Sequence, residues 1–186
     1  MLSTTQINYI YAIATCNDFP GGALHIVNKI LKKRGKKLNA GFAIRMPGNY
    51  VPMYAPLPKA KQEERFDTAK IKVIEITNVV RNRQGKLELS LLGRLLSLMQ
   101  KRNNQKLPER DNKFWTDENC NSCSICEKIC PVQNIEMVQG RPKWSHKCQQ
   151  CLACLHWCPK ASIQVGKSTI GRARYQNPEI KLNDLL

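Results

Sequence analysis

The chain has 186 residues, 42% of them apolar, which suits one ordinary domain or two small ones with cores of their own. Its 30 Lys and Arg against 14 Asp and Glu give a formal charge of +16, unevenly placed: residues 1–114 hold 21 basic and 8 acidic side chains, residues 115–186 only 9 and 6. No apolar run approaches the roughly 20 residues of a membrane span, and no Lys or Arg precedes the apolar N-terminal stretch, so neither a transmembrane helix nor an export signal is expected.

Ile7 to Thr15, rich in β-branched and aromatic residues, reads as a buried strand, followed by the loop Cys16-Asn-Asp-Phe-Pro-Gly-Gly22. A helix comes next, with apolar Leu24, Val27, Ile30 and Leu31 and a lysine-rich last turn that Gly35 stops. Leu38 to Met46 is a second strand, closed by Pro47-Gly-Asn-Tyr50. The proline-rich PMYAPLP then leads to a long helix from about Lys59 to Arg83, with Phe66, Ala69, Val73, Ile76 and Val80 on one face. Strand, helix, strand, helix is a parallel α/β unit, and two strands leave it incomplete by itself. Leu87 to Met99 is leucine-dense and predicts a helix that packs the domains together or covers the open sheet. With Arg94, Lys101 and Arg102 it also reads as a helix for a membrane surface or a partner. Residues 103–113 are polar and read as a linker.

The decisive motif follows. Cys120-x2-Cys123-x2-Cys126-x3-Cys130-Pro131 recurs 28 residues later as Cys148-x2-Cys151-x2-Cys154-x3-Cys158-Pro159. This is the bacterial run for [4Fe–4S] clusters, in duplicate. Three thiolates two residues apart on a tight loop converge on three corners of one cubane, and the fourth completes the other cluster. Cys120, Cys123, Cys126 and Cys158 are therefore expected to hold one cluster, and Cys130, Cys148, Cys151 and Cys154 the second. Structural zinc uses CxxC pairs with a longer spacer, often with histidine, and disulfides do not account for the spacing. Between the runs Asn134 to Val138 and Pro142 to Ser145 form a strand pair about a Gln139-Gly140 turn, and Ala161 to Val165 is a last short strand. Each half is thus a cluster loop, a short helix and a strand, related by internal repetition. So small a unit buries little apolar area, so clusters would supply much of its folding free energy. Every iron corner has a cysteine, which suits electron relay rather than substrate activation.

Other features carry less. Cys16 reads as a small buried hydrophobe, and His25, His146 and His156 as packing residues, since eight cysteines fill the ligand positions. Gly166-Lys-Ser-Thr169 lacks the upstream glycine of a phosphate loop, Ala161 standing there. Lys32-Lys-Arg-Gly-Lys-Lys37 comes without a nucleic-acid reading motif.

The stretches YAIATCNDFPGGAL and GFAIRMPGNYVPMY resemble the later part of a flavodoxin-like domain. GRPKWSHKCQQCLACLHWCPKASIQVGKSTIGRARYQNP is similar to the tail of flavodoxin–ferredoxin fusion proteins of anaerobic bacteria. The resemblance spans nearly the whole chain but starts at that family's third strand, without its phosphate-cradling loop. It implies that Thr15, Asn17, Gly21, Asn49 and Tyr50 lie on loops flanking an FMN ring, in a site that another chain would complete. The expected organisation is a partial flavodoxin-like α/β segment over 1–84, the leucine-rich helix and linker over 85–113, a two-cluster ferredoxin-like pseudo-symmetric module (α+β) over 114–165, and a tail over 166–186. The expected function is a cytoplasmic iron–sulfur electron carrier with acidic redox protein partners. An FMN-dependent oxidoreductase subunit is the alternative.

Overall fold

The structure, a computed structural model, describes residues 7–104 and 106–186, and their side chains except those of 100–104. The first six residues, read for an export signal, and the side chains of Lys101 and Arg102 lie outside the described residues. The chain divides into two compact units. One comprises Met1–Gly48 and Leu57–Lys101, the other Asn49–Pro56 and Arg102–Leu186. This differs from the linear division at residues 84 and 113, because the segment 49–56 belongs with the C-terminal half.

The first unit is built from β1 (Tyr11–Cys16), α1 (Ala23–Lys33), β2 (Ala40–Arg45), α2 (Lys59–Arg81), β3 (Lys86–Leu87) and α3 (Leu91–Asn104). The sheet is parallel in the order β1-β2-β3, with Tyr11 opposite Ala40 and Cys16 opposite Arg45. β2 is central, so it is buried nearly throughout; Ala40, Phe42 and Ile44 pack against Ala69, Ile76 and Val79 of α2. β3 is a third strand that the residue pattern did not announce, and only two residues long. Beyond it the Glu88 carboxylate accepts the Ala43 N–H at 2.9 Å, where a longer strand would have placed a carbonyl.

Three expectations need correction here. β1 is an edge strand rather than a buried one: no strand lies on its outer side among the described residues, and Tyr11 and Ile13 are 50% and 44% exposed. Val73 faces solvent, because the contact stripe of α2 runs through Ala69, Ile76 and Val79. The leucine-dense helix exists, but it does not cover the sheet with its leucines; Leu91, Leu92, Leu95 and Leu98 are exposed. It packs instead through its small residues. A Cβ on Gly22 would lie 2.6 Å from Ser97 Cα, and one on Gly93 would lie 2.8 Å from the Gly21 carbonyl oxygen. Gly21-Gly22 is thus explained by close helix–loop approach.

The second unit contains a 3-10 helix (Pro108–Lys113), β4 (Phe114–Thr116), α4 (Ile125–Lys128), β5 (Ile135–Val138), β6 (Arg141–Trp144), α5 (Ala153–His156) and β7 (Ile163–Val165). β4 pairs antiparallel with β7, and β5 with β6. The β5–β6 turn has positive φ at both Gln139 and Gly140, as the primed hairpin turns require. One core joins Val51, Phe114, Ile135, Leu152, Leu155 and Ile163. Val51, fully buried, enters it from the separate segment 49–56. That segment is held by His156 Nε2–H, which donates to the Asn49 carbonyl at 2.8 Å, and by Arg172, which donates to that of Val51. The tail past residue 165 also folds in: buried Thr169 accepts the Val165 N–H and donates to Gln164 Oε1, both at 2.8 Å.

Candidate metal centre

The two cysteine runs have the same backbone shape. Non-glycine residues with positive φ stand at Ser122 and Ser124 in the first run, and at Gln150 and Leu152 in the second. These are the same places, two and four residues after Cys120 and Cys148. A third pair, Gln133 and Ala161, is also offset by 28 residues. Left-handed residues other than glycine cost on the order of 1–3 kcal/mol each and persist where the surroundings over-determine them. Here they bend both CxxCxxC loops at the same places, and α4 and α5 start directly after the second such residue.

Each loop borders a cavity, and each cavity takes its fourth cysteine from the other run. The first is lined by Cys120, Cys123, Cys126 and Cys158, with Met137 and Ile163 among its apolar walls. The second is lined by Cys130, Cys148, Cys151 and Cys154, with Phe114 and Trp144. All eight cysteines are free thiols. No three His, Cys, Asp or Glu among the described residues converge closely enough to hold a single metal ion.

Sulfur environments differ between the sets. The Asn134 N–H donates to Cys130 Sγ, and the Gln150 N–H to Cys148 Sγ, both at 3.2 Å. Ser162 Oγ lies 3.4 Å from Cys158 Sγ and donates to its thiolate form. Burial pushes the Cys126 thiol up to about 11 and raises those of Cys154 and Cys148. Burial also raises the Cys158 thiol, but hydrogen bonds from the Ser162 hydroxyl and the backbone N–H groups of Ser162, Lys160 and Ile163 outweigh it and hold that thiol below its ordinary value. A cysteine that must serve as thiolate is helped by such donors.

Residues outside the runs shape the second cavity. Asp111, in the stretch expected to be a linker, is 2% exposed. Its Oδ2 accepts Asn134 Nδ2–H at 2.8 Å and the His146 N–H at 3.0 Å, and its Oδ1 accepts His146 Nδ1–H at 2.7 Å. It thereby ties the segments that carry Cys130 and Cys148. Nothing in the polar run NNQKLPERDNK distinguishes this aspartate. His156 is a packing residue: Nδ1 accepts the Tyr175 N–H at 3.1 Å while Nε2–H donates to Asn49, and burial lowers its basicity, which keeps it neutral.

No family model, curated protein or solved structure matches this chain.

The five residues expected at a flavin are divided between the units. Thr15, Asn17 and Gly21 lie in the first, at the carboxyl end of β1. Asn17 gives its carbonyl to Arg65, and its Nδ2–H donates to Asp18 at 2.8 Å. Asn49 and Tyr50 lie in the second, where the Tyr50 hydroxyl donates to Gln150 Oε1 at 3.0 Å. A cavity at the carboxyl ends of β1 and β2 is lined by Cys16, Asp18, Phe19, Arg45, Lys72 and Glu88, and by none of the five. Burial raises the Cys16 thiol, and its Sγ lies 3.7 Å from the Ile44 carbonyl.

No helix among the described residues is long and apolar enough to cross a membrane.

Proposed function

We propose that the chain is an iron–sulfur electron carrier with two [4Fe–4S] clusters, each held by three cysteines of one run and the fourth of the other. The observation that carries the reading is the pair of similar cavities, each lined by such a set of four. Structural zinc usually takes two CxxC pairs with a longer spacer, and this duplicated spacing departs from that pattern. An orphaned donor also fits. Trp144 lines the second cavity, and its indole N–H is buried with no partner among the described residues. A buried unsatisfied donor costs about 1–3 kcal/mol, which a thiolate or sulfide acceptor in the cavity would recover.

Bound clusters supply reversible one-electron chemistry. The chain's own residues do the rest. Eight thiolates ligate; apolar Phe114, Ile135, Leu152 and Ile163 exclude water; backbone N–H groups aimed at sulfur temper the charge. The first unit carries the basic excess, to which acidic redox proteins would dock. Cysteines in CxxC spacing, which suits a metal centre better than disulfides, support a cytoplasmic location, and the cysteine runs support membership of the flavodoxin–ferredoxin fusion family. The alternative, a flavoprotein subunit completed by another chain, draws on the cavity at the carboxyl ends of β1 and β2, where ligands of open parallel sheets bind. Iron, acid-labile sulfide and flavin per chain, measured on anaerobically purified protein, test both. About eight iron and eight sulfide without flavin bears out the carrier. One flavin per chain favours the subunit, and zinc or no metal overturns both.

A further inference from the structure

The internal repeat provides its own control. Cys130 and Cys158 are equivalent, and so are the residues four places on, Asn134 and Ser162, both buried. The charges hydrogen-bonded to these two turns differ in sign, Asp111 at one and Arg174 at the other; Arg110 reaches the Gln150 side chain of the second loop at 3.3 Å, but it is exposed and screened by solvent. Asn134, whose backbone N–H donates to Cys130 Sγ, passes its side-chain N–H to buried Asp111. His146 takes the solvent side of that carboxylate, its side chain 56% exposed against none for Asp111, so the negative end of the pair is the buried one, behind the cavity-lining Asn134. At the other site Ser162 turns its hydroxyl to Cys158, and Arg174 supplies a cation. Arg174 donates to the Ala161 carbonyl at 3.1 Å, the Ile163 carbonyl at 2.8 Å and Gln164 Oε1 at 3.1 Å, on both sides of Ser162. Its Nε–H is buried without a partner among the described residues, and its guanidinium is held on the turn whose Ser162 hydroxyl meets Cys158 Sγ.

We infer that Arg174 and Asp111 make the two clusters inequivalent: the Cys120/Cys123/Cys126/Cys158 cluster takes the electron first and keeps it, while the Cys130/Cys148/Cys151/Cys154 cluster has the lower potential. The inference rests on the electron-carrier reading. Adding an electron makes a cluster more negative, so a fixed cation nearby favours the reduced form and a fixed anion opposes it. Hydrogen-bond donors do not decide the matter, since both sites have them: Ser162 at one, Asn134, Gln150 and the orphaned Trp144 at the other. Asp117 opposes Arg174, but it is partly exposed and its Oδ1 is engaged by the Asn119 N–H. Full charges in partly desolvated positions outweigh these dipoles.

The test is a potentiometric titration of the full-length, cluster-loaded protein, followed by electron paramagnetic resonance. Two one-electron waves are expected in the parent, differing at least tenfold in occupancy ratio at a given potential, or about 59 mV. R174Q should move the upper wave down by about tenfold and leave the lower in place, and R174K should move it less. D111N, which keeps the shape and loses the charge, should move the lower wave up and leave the upper. R174Q and D111N probe separate sites, so failure of either to load clusters leaves the other decisive. A single wave, unmoved waves, or both variants moving the same wave overturns the inference while the carrier reading stands. A parent without any cluster signal on reduction overturns the carrier reading and the inference with it.

Discussion

Val51 offers a sharp check on how the cluster module is assembled. It lies 63 residues before β4, in a proline-rich stretch, yet it is fully buried among Phe114, Leu155 and Ile163. Val51→Ala removes two methyl groups from that core. The transfer term is about 0.8 kcal/mol for each, and an unrelaxed cavity lifts the cost to about 2 kcal/mol. That is about a thirtyfold change in the unfolding equilibrium. All three tryptophans, Trp115, Trp144 and Trp157, belong to the second unit, so fluorescence reports its unfolding without interference from the first. In anaerobic guanidinium titrations the midpoint should fall by roughly 0.5–1 M. Met53→Ala, two residues on but 73% exposed, should stay within about 0.5 kcal/mol of the parent. Equal midpoints for the two variants would refute the claim that segment 49–56 is part of the module's core.

Further outcomes follow from the same geometry. Cys158→Ser and Cys130→Ser should each lose about half the iron. Under iodoacetamide the first should leave Cys120 and Cys123 open to alkylation and the second Cys148 and Cys151; the reverse pattern would mean that each run holds its own cluster. Burial favours the protonated form of the Cys126 thiol up to about 11, so loading must displace that proton. Iron uptake should therefore release protons and strengthen as pH rises toward that value, which parallel titrations at two pH values check; uptake independent of pH contradicts it. The first unit holds 17 Lys and Arg against 6 Asp and Glu. Stopped-flow reduction of an acidic acceptor should slow as ionic strength rises from 0.01 to 0.1 M and the screening length shrinks from about 30 to about 10 Å; a flat profile removes the docking idea. Truncation after Gly166 strips Thr169, Arg172 and Arg174 from the module and should raise the rate of iron loss to a chelator, and an unchanged rate would show the tail to be dispensable.

The candidate site was legible because its information is local. Ligand spacing, the proline after each run and the 28-residue offset are chemical constraints written along a few turns of chain. Helix and strand order in the first unit was legible for the same reason, since hydrophobic periodicity acts over neighbouring residues. What surrounds the cysteines was not. Asp111 sits in a polar run with the composition of a linker, and only the fold brings it beside Asn134 and His146 to become a buried carboxylate. Val51 gains its place in the core from residues more than sixty positions away, and Arg174 reaches the Ser162 turn from a tail without any motif. β1 reads as a buried strand from composition, and is an edge because strand order, not residue type, decides which strands have two neighbours. Sequence alone determined which residues can ligate, because that depends on side-chain chemistry and short spacing. Tertiary structure decided which charges stand behind them, because electrostatics depends on distance through space and on burial, and neither is encoded in separation along the chain.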